Sequence, residues 1–239
     1  IFFITASFYF YYKEFMNLTF KPEDNGGKVV ASLLKNHNVR YIFTLIGGHI
    51  SPILSESKKM GIKIIDVRNE ATAVFAADSV SRLSNHIGVA IVTAGPGLTN
   101  TITAVKNAQM AESPLLLIAG ASATLLKGRG ALQEINQIDL MKTVCKKVYS
   151  CSRVNKISDN IVEAIHCARS GVPGPVFIEI PIDLLYTYDV VKKNAGIKKS
   201  NNLITRIVNQ YILHRIKYNF SGEWKENQMP KRIEFQKYI

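Results

Sequence analysis

Cysteine is scarce in this chain, which has 239 residues and only three cysteines, Cys145, Cys151 and Cys167. They form neither a CxxC pair nor an even set, so the sequence predicts no disulfide framework and no cysteine-held metal, and it favours a reduced compartment. Acidic residues are also few, because 18 Asp and Glu stand against 30 Lys and Arg and give a net charge of +12. A charge of that sign, taken alone, favours an anionic partner such as nucleic acid or a membrane surface.

The positive charge is concentrated at the C-terminal end. Between Lys192 and Ile239 there are 11 basic and 3 acidic residues, which leaves only +4 on the preceding 191 residues. Nucleic-acid binding by this tail would need stacked aromatic residues or a groove-reading motif, and Tyr211, Tyr218 and Trp224 are too scattered to provide one. We therefore expect a small-molecule substrate and no nucleic-acid partner.

Several familiar catalytic and nucleotide-binding motifs are missing as well. There is no GxGxxG after an apolar run, no GxxxxGK(S/T), no GxSxG and no HExxH. Their absence argues against an autonomous dinucleotide or ATP site, a serine-hydrolase elbow and a zinc protease. The histidines form no cluster, and His49, in a glycine loop, is the one that we interpret as a ligand contact.

The most apolar stretch lies at the start of the sequence. Residues 1–12 are apolar or aromatic apart from Thr5 and Ser7. Twelve residues at about 1.5 Å each cannot cross a hydrocarbon layer of roughly 30 Å. We interpret the segment 1–20 as the end of a membrane anchor, and the alternatives are the remainder of a signal peptide or a terminal strand.

Short apolar runs alternate with helical patterns through the middle of the chain. The runs at 41–46, 62–67, 87–92, 115–119 and 176–180 predict buried strands, and the patterns at 29–34, 71–83, 98–110 and 157–168 predict helices. Such alternation implies right-handed crossovers and a mostly parallel sheet with helices on both faces. We therefore predict a doubly wound α/β domain over residues 24–190.

A different pattern follows the predicted domain, in the basic linker formed by residues 191–239. Apolar residues from Leu203 to Ile216 recur at helical intervals, Asn201 or Asn202 can cap the start, and Ser221-Gly222 can end the helix. The pattern predicts one amphipathic helix. We expect its apolar face to pack on a neighbouring domain, and the alternative is that it lies on an anionic membrane.

Three unusual loops follow predicted strands, at the sheet edge where open parallel sheets bind ligands. The pair Gly47-Gly48 follows the first strand and allows a bulky ligand to approach the backbone. Glu70 follows the second strand at the start of a helix; there a carboxylate is commonly just a favourable charge–dipole placement, but we expect this one to carry chemistry. The third loop, from Thr93 to Asn100, is a Gly-Pro-Gly turn into a helix whose free amides suit an anion or a polar ring edge.

These motifs, in this order, resemble the N-terminal pyrimidine-binding domain of thiamine-diphosphate enzymes of the acetolactate synthase type. The residues that carry the resemblance are Gly47-Gly48, Arg68-Asn69-Glu70, Gly95-Pro96-Gly97-Leu98-Thr99-Asn100, Leu132-Gln133-Glu134 and the stretch Gly171 to Val176 before the last strand. Asn69 stands where the family commonly has His, and Leu132 stands where it commonly has an aromatic residue. The resemblance covers the chain from Gly26 to about Tyr188.

The resemblance implies that thiamine diphosphate binds here and that Glu70 is the catalytic residue. Glu70 would hydrogen-bond a ring nitrogen of the aminopyrimidine and favour the tautomer that takes the thiazolium proton. The implied cofactor contacts are Gly47, Gly48, Glu70, Thr93, Gly95, Pro96, Gly97 and Asn100, while His49 and Gln133 would face the substrate. The implied reaction is cleavage of a 2-hydroxyacyl-CoA to an aldehyde and formyl-CoA, with carboligation of 2-oxo acids as its relative.

The resemblance also implies groups and partners beyond this domain. Family members hold Mg²⁺ in a separate C-terminal domain with a Gly-Asp-Gly…Asn segment, which this sequence lacks, and some bind FAD. Their active site lies between subunits of a homo-dimer or homo-tetramer. The animal branch is anchored to the endoplasmic reticulum membrane with the enzyme facing the cytosol, and a cytoplasmic location is the alternative. We expect the N-terminal part of a longer lyase, inactive alone; the alternative is a natural short, non-catalytic partner of a full-length subunit.

Overall fold

The computed structural model describes residues 25–197 and 202–222. The apolar segment predicted at 1–20 and the end of the basic linker, 223–239, lie outside the described residues. The described strands are β1 (Tyr41–Thr44), β2 (Lys63–Asp66), β3 (Gly88–Val92), β4 (Leu115–Ala121), β5 (Lys147–Ser150) and β6 (Pro175–Pro181). The described helices are α1 (Gly26–Asn36), α2 (Ser51–Lys59), α3 (Glu70–Leu83), α4 (Pro96–Thr99), α5 (Ile102–Met110), α6 (Gln137–Met141), α7 (Val154–Arg169), α8 (Ile182–Leu185), α9 (Tyr188–Asn194) and α10 (Leu203–Asn219).

The strands form one parallel sheet in the order β2-β1-β3-β4-β6-β5. Buried side chains pack on both of its faces. On β4, Leu116 and Ile118 join the core under α1 and α7, whereas Leu115, Leu117 and Ala119 join the core under α3 and α5. The predicted doubly wound α/β fold, with helices on both faces of the sheet, is confirmed.

The strand order reverses between β1 and β3, because β2 lies on one side of β1 and the later strands follow on the other side. At such a point the loops after neighbouring strands diverge to opposite faces and leave a crevice at the carboxyl edge of the sheet. Strands β2, β1 and β3 are neighbours in the sheet, so the loops that follow them meet at this edge. These are the three loops in which the sequence predicts the site.

The differences between the secondary structure and the sequence prediction include one strand of the sheet and one helix of the site. Strand β5 was not predicted, since its sequence Lys-Val-Tyr-Ser has an exposed residue at each end and no apolar run. The helix predicted over 98–110 is broken into α4 and α5. At the break, the Thr101 hydroxyl donates to the Leu98 carbonyl oxygen at 2.7 Å, and the Thr101 amide donates to the same oxygen at 2.9 Å.

Helix α3 lies unusually close to the start of β3. A Cβ atom at Gly88 would overlap the carbonyl oxygen of Ala77 in the middle of that helix. Ser81 of α3 accepts a hydrogen bond from the Gly88 amide at 2.7 Å and donates one to the Pro114 carbonyl oxygen at 2.6 Å. Gly88 thus allows direct backbone contact, and this contact sets the position of the whole helix against the sheet.

The helix predicted after the domain is α10, and the Asn202 side chain caps it by accepting a hydrogen bond from the Ile204 amide at 2.8 Å. Its second half packs on the sheet domain, where Ile212 is partly buried and Ile216 and the following Phe220 are buried. The apolar side chains toward its start are exposed, namely Leu203, Ile204, Ile207, Val208 and Tyr211. What covers this face stays a prediction. None of the helices in the described ranges has the length and hydropathy needed to cross a bilayer.

Candidate functional site

Glu70 is the first residue of α3 and is buried, with 6% of its surface exposed. Asn69 caps the helix, because its extended backbone lets the side-chain oxygen accept a hydrogen bond from the Ala71 amide at 2.8 Å. The cap determines where the helix begins. It therefore directs the next side chain, Glu70, into the crevice between the loops.

The Glu70 carboxylate is held from one side only. The Asn100 amide nitrogen donates to Glu70 Oε2 at 2.9 Å, and within the described residues no cation lies in ion-pair distance of this carboxylate. The other oxygen, Oε1, lies 3.5 Å from the place where a Cβ of Gly97 would stand. A buried carboxylate with one satisfied oxygen can accept an N–H group from a ligand that enters beside Gly97.

The loops after β1 and β3 meet at Thr93. A Cβ at Gly47 would lie 2.5 Å from Thr93 Cβ, and a Cβ at Gly97 would lie 2.6 Å from Thr93 Cγ2. Both positions therefore need glycine if the loops are to keep this spacing. Gly48 differs, because a Cβ there would meet no protein atom within 4 Å and would point into open space.

His49 joins the same group of residues. Its Nδ1 atom lies 3.3 Å from Thr93 Oγ1, and its side chain covers Gly120 near the end of β4, where no Cβ would fit. Burial lowers the pKa of His49, so its imidazole is neutral at physiological pH. A neutral ring can accept or donate a hydrogen bond to a substrate, as the predicted role requires.

The Gly-Pro-Gly turn brings Gln133 to the site. Gly95 has φ 62° and ψ −111°, a conformation open to glycine, and a Cβ on it would lie 2.5 Å from the Gln133 carbonyl oxygen. Gln133 also has a positive φ, of 62°. Pro96, next in the turn, is exposed at the first position of α4. The structure thus places all the predicted site residues in the loops at one edge of the sheet; their roles toward a cofactor or substrate stay predictions.

Gln137 is a residue of this region that the sequence did not single out. Its side chain is buried at the start of α6, where Oε1 accepts from the Gly95 amide at 3.0 Å. Its Nε2 atom donates to the Gly120 carbonyl oxygen at 3.1 Å and to Glu179 Oε2 at 3.0 Å. One amide therefore joins the turn after β3 to the ends of β4 and β6. No local motif marks such a residue, because its partners are distant in sequence.

Replacing Gln137 by Leu is expected to lower the free energy of unfolding by roughly 2–4 kcal/mol, since it removes the hydrogen-bond partner of the buried Gly95 amide and the donor to Glu179 Oε2. Urea unfolding measures the loss, and faster hydrogen exchange of the Gly95 amide locates it. Gln210→Leu, at an exposed position on α10, is the matched control. Equal stability of the two variants would contradict the linking role of Gln137.

Comparison with known proteins adds an independent finding. Residues 24–140 match the family model described as thiamine pyrophosphate enzyme, N-terminal TPP binding domain. The chain is 55% identical over 206 residues to a 2-hydroxyacyl-CoA lyase 2 of Danio rerio. The match covers 86% of this chain and 33% of that protein. It is 52% identical over 202 residues to a 2-hydroxyacyl-CoA lyase 2 of Homo sapiens. This match covers 84% of the chain and 32% of the human protein.

A more distant similarity extends to bacterial synthases. The chain is 35% identical over 159 residues to the acetolactate synthase large subunit IlvG of Mycobacterium tuberculosis. The match covers 66% of this chain and 29% of that protein. The chain thus spans about a third of the length of the curated relatives that it matches.

Proposed function

Because the chain belongs to the thiamine pyrophosphate enzymes through its N-terminal TPP-binding domain, we propose that it supplies the pyrimidine-binding part of a thiamine-diphosphate-dependent carbon–carbon lyase or carboligase. The observation that carries the proposal is the Glu70 carboxylate, buried in the crevice where the strand order reverses, with one oxygen free to accept an N–H group. The high identity to 2-hydroxyacyl-CoA lyases favours a 2-hydroxyacyl-CoA as substrate. Carboligation of 2-oxo acids is the second candidate, supported by the similarity to acetolactate synthase.

The residues of the crevice fit the aminopyrimidine part of this cofactor. Thiamine diphosphate, when bound, supplies a nucleophilic carbon that attacks a carbonyl group and then acts as an electron sink. Glu70 Oε1 would accept a ring N–H and keep that nitrogen protonated, while Asn100 holds the other carboxylate oxygen in place. Gly48 leaves room for a flat ring against the backbone, and neutral His49, beside Thr93, would face the substrate.

The remaining groups of a complete site are proposed to come from outside the described residues. Residues 25–197 and 202–222 contain no group of three His, Cys, Asp or Glu side chains arranged to hold a metal ion. We propose that another segment or subunit holds Mg²⁺ and the diphosphate, in a homo-dimer or homo-tetramer. The exposed side chains of Leu126, Leu132 and Ile135, in the loop before α6, support such a contact.

FAD binding and an endoplasmic reticulum location rest on the family resemblance alone. A non-catalytic partner of a full-length subunit is the competing proposal.

The cofactor requirement tests the proposed reaction. The natural protein that contains these residues is stripped of cofactor, and cleavage of a 2-hydroxyacyl-CoA is followed by the release of formyl-CoA. We expect activity to return with thiamine diphosphate and Mg²⁺ and not with thiamine, which lacks the diphosphate. Formation of acetolactate from pyruvate under the same conditions would favour the carboligase. Cleavage that does not need the cofactor would overturn the proposal, and no reaction with either substrate would favour the non-catalytic partner.

The two glycines after β1 give a paired test of where the cofactor lies. Gly48→Ala is expected to leave the melting temperature unchanged and to weaken thiamine diphosphate binding, because its Cβ enters space that only a ligand would fill. Gly47→Ala is expected to lower protein stability by about 1–3 kcal/mol, because its Cβ meets Thr93. Calorimetric titration and thermal melting measure the two effects. Unchanged cofactor affinity in Gly48→Ala would place the ring elsewhere.

A further inference from the structure

The loop between β4 and α6 carries two exposed cations close to Gln133. We call residues 122–136 the cationic loop, after Lys127 and Arg129, whose side chains both lie at the surface. Gly128 stands between the two cations and Gly130 follows Arg129, with φ values of 78° and 69°. A Cβ atom added at either glycine would meet nothing within 4 Å. The turn therefore presents its cations without bulky neighbours on its backbone.

The cationic loop is fixed to the domain at several points. The Glu134 carboxylate accepts hydrogen bonds from the amides of Gly128, at 2.5 Å, and Ala131, at 3.0 Å, and these bonds hold the pKa of Glu134 below its usual value. At the start of the loop, Thr124 donates to Asp183 through both its amide, at 3.0 Å, and its hydroxyl, at 2.5 Å. A loop held in this way positions its exposed groups before any ligand arrives.

Arg129 is a cation of this loop that has no partner among the described residues. Lys127 lies 3.5 Å from the buried Glu179 carboxylate, so that acidic group already faces a cation. The Glu134 carboxylate is directed at backbone amides of the turn. Among the described residues neither carboxylate forms an ion pair with Arg129, whose side chain is exposed to solvent.

The position of the cationic loop connects this guanidinium with the candidate site. Lys127, Gln133, Gln137 and Glu179 line one small cavity of about 20 Å³ at the carboxyl edge of the sheet. The backbone of Gln133 also packs on Gly95 of the Gly-Pro-Gly turn. Lys127 of the cationic loop thus lines the same cavity as Gln133, and Arg129 stands two residues further along the loop.

We propose that Arg129, with Lys127 beside it, binds phosphate groups of the coenzyme A part of an acyl-CoA substrate. A guanidinium offers parallel N–H donors that match phosphate oxygens, and the diphosphate and 3′-phosphate of coenzyme A are the anions that distinguish this substrate from a small 2-oxo acid. The proposal rests on the proposed function and deepens it. Arg129 is then a specificity-determining residue, distant from the bond that breaks, that selects CoA thioesters.

The first test compares kinetics on two substrates with the same acyl group. In the natural protein, Arg129→Ala is expected to raise the KM for a 2-hydroxyacyl-CoA by about tenfold to a hundredfold with little change in kcat. The KM for the corresponding 2-hydroxyacyl-pantetheine, which has no phosphate, and the affinity for thiamine diphosphate should not change. Arg129→Lys should restore part of the loss, and Arg40→Ala, an exposed arginine before β1, is the matched control.

The second test is a direct binding measurement that needs no turnover. Titration with free coenzyme A should give an affinity that falls in Arg129→Ala by the same factor as the KM rises, at an unchanged melting temperature. Equal losses on the CoA and pantetheine substrates would overturn the proposal, as would no loss on either. Weaker thiamine diphosphate binding in Arg129→Ala would overturn it in favour of the cofactor diphosphate. If the wild-type protein cleaves no acyl-CoA, the proposed function fails separately, and the coenzyme A titration alone decides the role of Arg129.

Discussion

Replacing Glu70 by Gln is expected to reduce thiamine-diphosphate-dependent turnover by about a hundredfold to ten-thousandfold, the range that a positioned proton-transfer group contributes. Gln has nearly the same shape and can still accept the hydrogen bond from Asn100, which lies 2.9 Å from the carboxylate. What the substitution removes is the negative charge, and without it the second oxygen position no longer holds a ring nitrogen protonated. The loss should appear in kcat, with the fold preserved.

The experiment pairs turnover with thermal melting of the same preparations. Glu163→Gln is the matched control, because Glu163 lies on the surface of α7 with 54% of its side chain exposed and pairs with Lys147. We expect the control to keep its turnover and both variants to keep a melting temperature close to wild type. Turnover near the wild-type rate in Glu70→Gln would contradict the catalytic role of the carboxylate.

Gly88→Ala is expected to destabilise the sheet domain and to displace helix α3. The added methyl group would overlap the Ala77 carbonyl oxygen and come within 2.7 Å of Ser81 Oγ, so helix α3 must move away from β3. Overpacking of this kind lowers the free energy of unfolding by about 1–3 kcal/mol, and by more where the backbone must shift. Each kcal/mol lost lowers the melting temperature of a domain of this size by about 2–4 °C. Cofactor binding should weaken as well, because Glu70 begins the displaced helix.

The control for this prediction is Gly174→Ala. Gly174 also stands at the start of a strand, but a Cβ there would make only ordinary contacts, the nearest at 3.5 Å from Lys146 Cβ. Urea unfolding of both variants separates the helix–strand contact from a general effect of replacing glycine before a strand. Equal losses in the two variants would show that the close approach at Gly88 is not what limits stability.

The sheet was largely predictable from sequence, because most of its strands are buried on both faces and appear as short apolar runs. The run predicted at 87–92 became β3, in which every residue is buried. Strand β5 was not predictable in this way, since as an edge strand it is partly exposed and mixes Lys147 and Ser150 with Val148 and Tyr149. Helix α2 was missed because only Ile53, Leu54 and Ser57 of it are buried.

The site was predictable where its residues occupy the loops that directly follow strands. Glu70, Gly97 and Asn100 are marked by such positions and by their order, and the structure brings them into contact. Gln137 and Glu179 could not be identified in this way, because they act through partners that only the tertiary structure supplies. In the cationic loop, the sequence marked Leu132-Gln133-Glu134 and gave a site role to Gln133 alone. Its fixed shape depends on Glu134 and Asp183, which bind its backbone.

The strand order also has a consequence for the way in which the chain folds. Of the described strands, β6 is the last to be synthesised, yet it lies between β4 and β5, so β5 has no neighbour among them to pair with until β6 arrives. Pairings between segments so distant in sequence form slowly, because the loop entropy must be lost before the contacts are gained. Glu179, which Gln137 requires as its acceptor, is carried by that last strand. A nascent chain can therefore build the sheet from β1 to β4 early, but it completes the support behind the Gly-Pro-Gly turn only when β6 inserts.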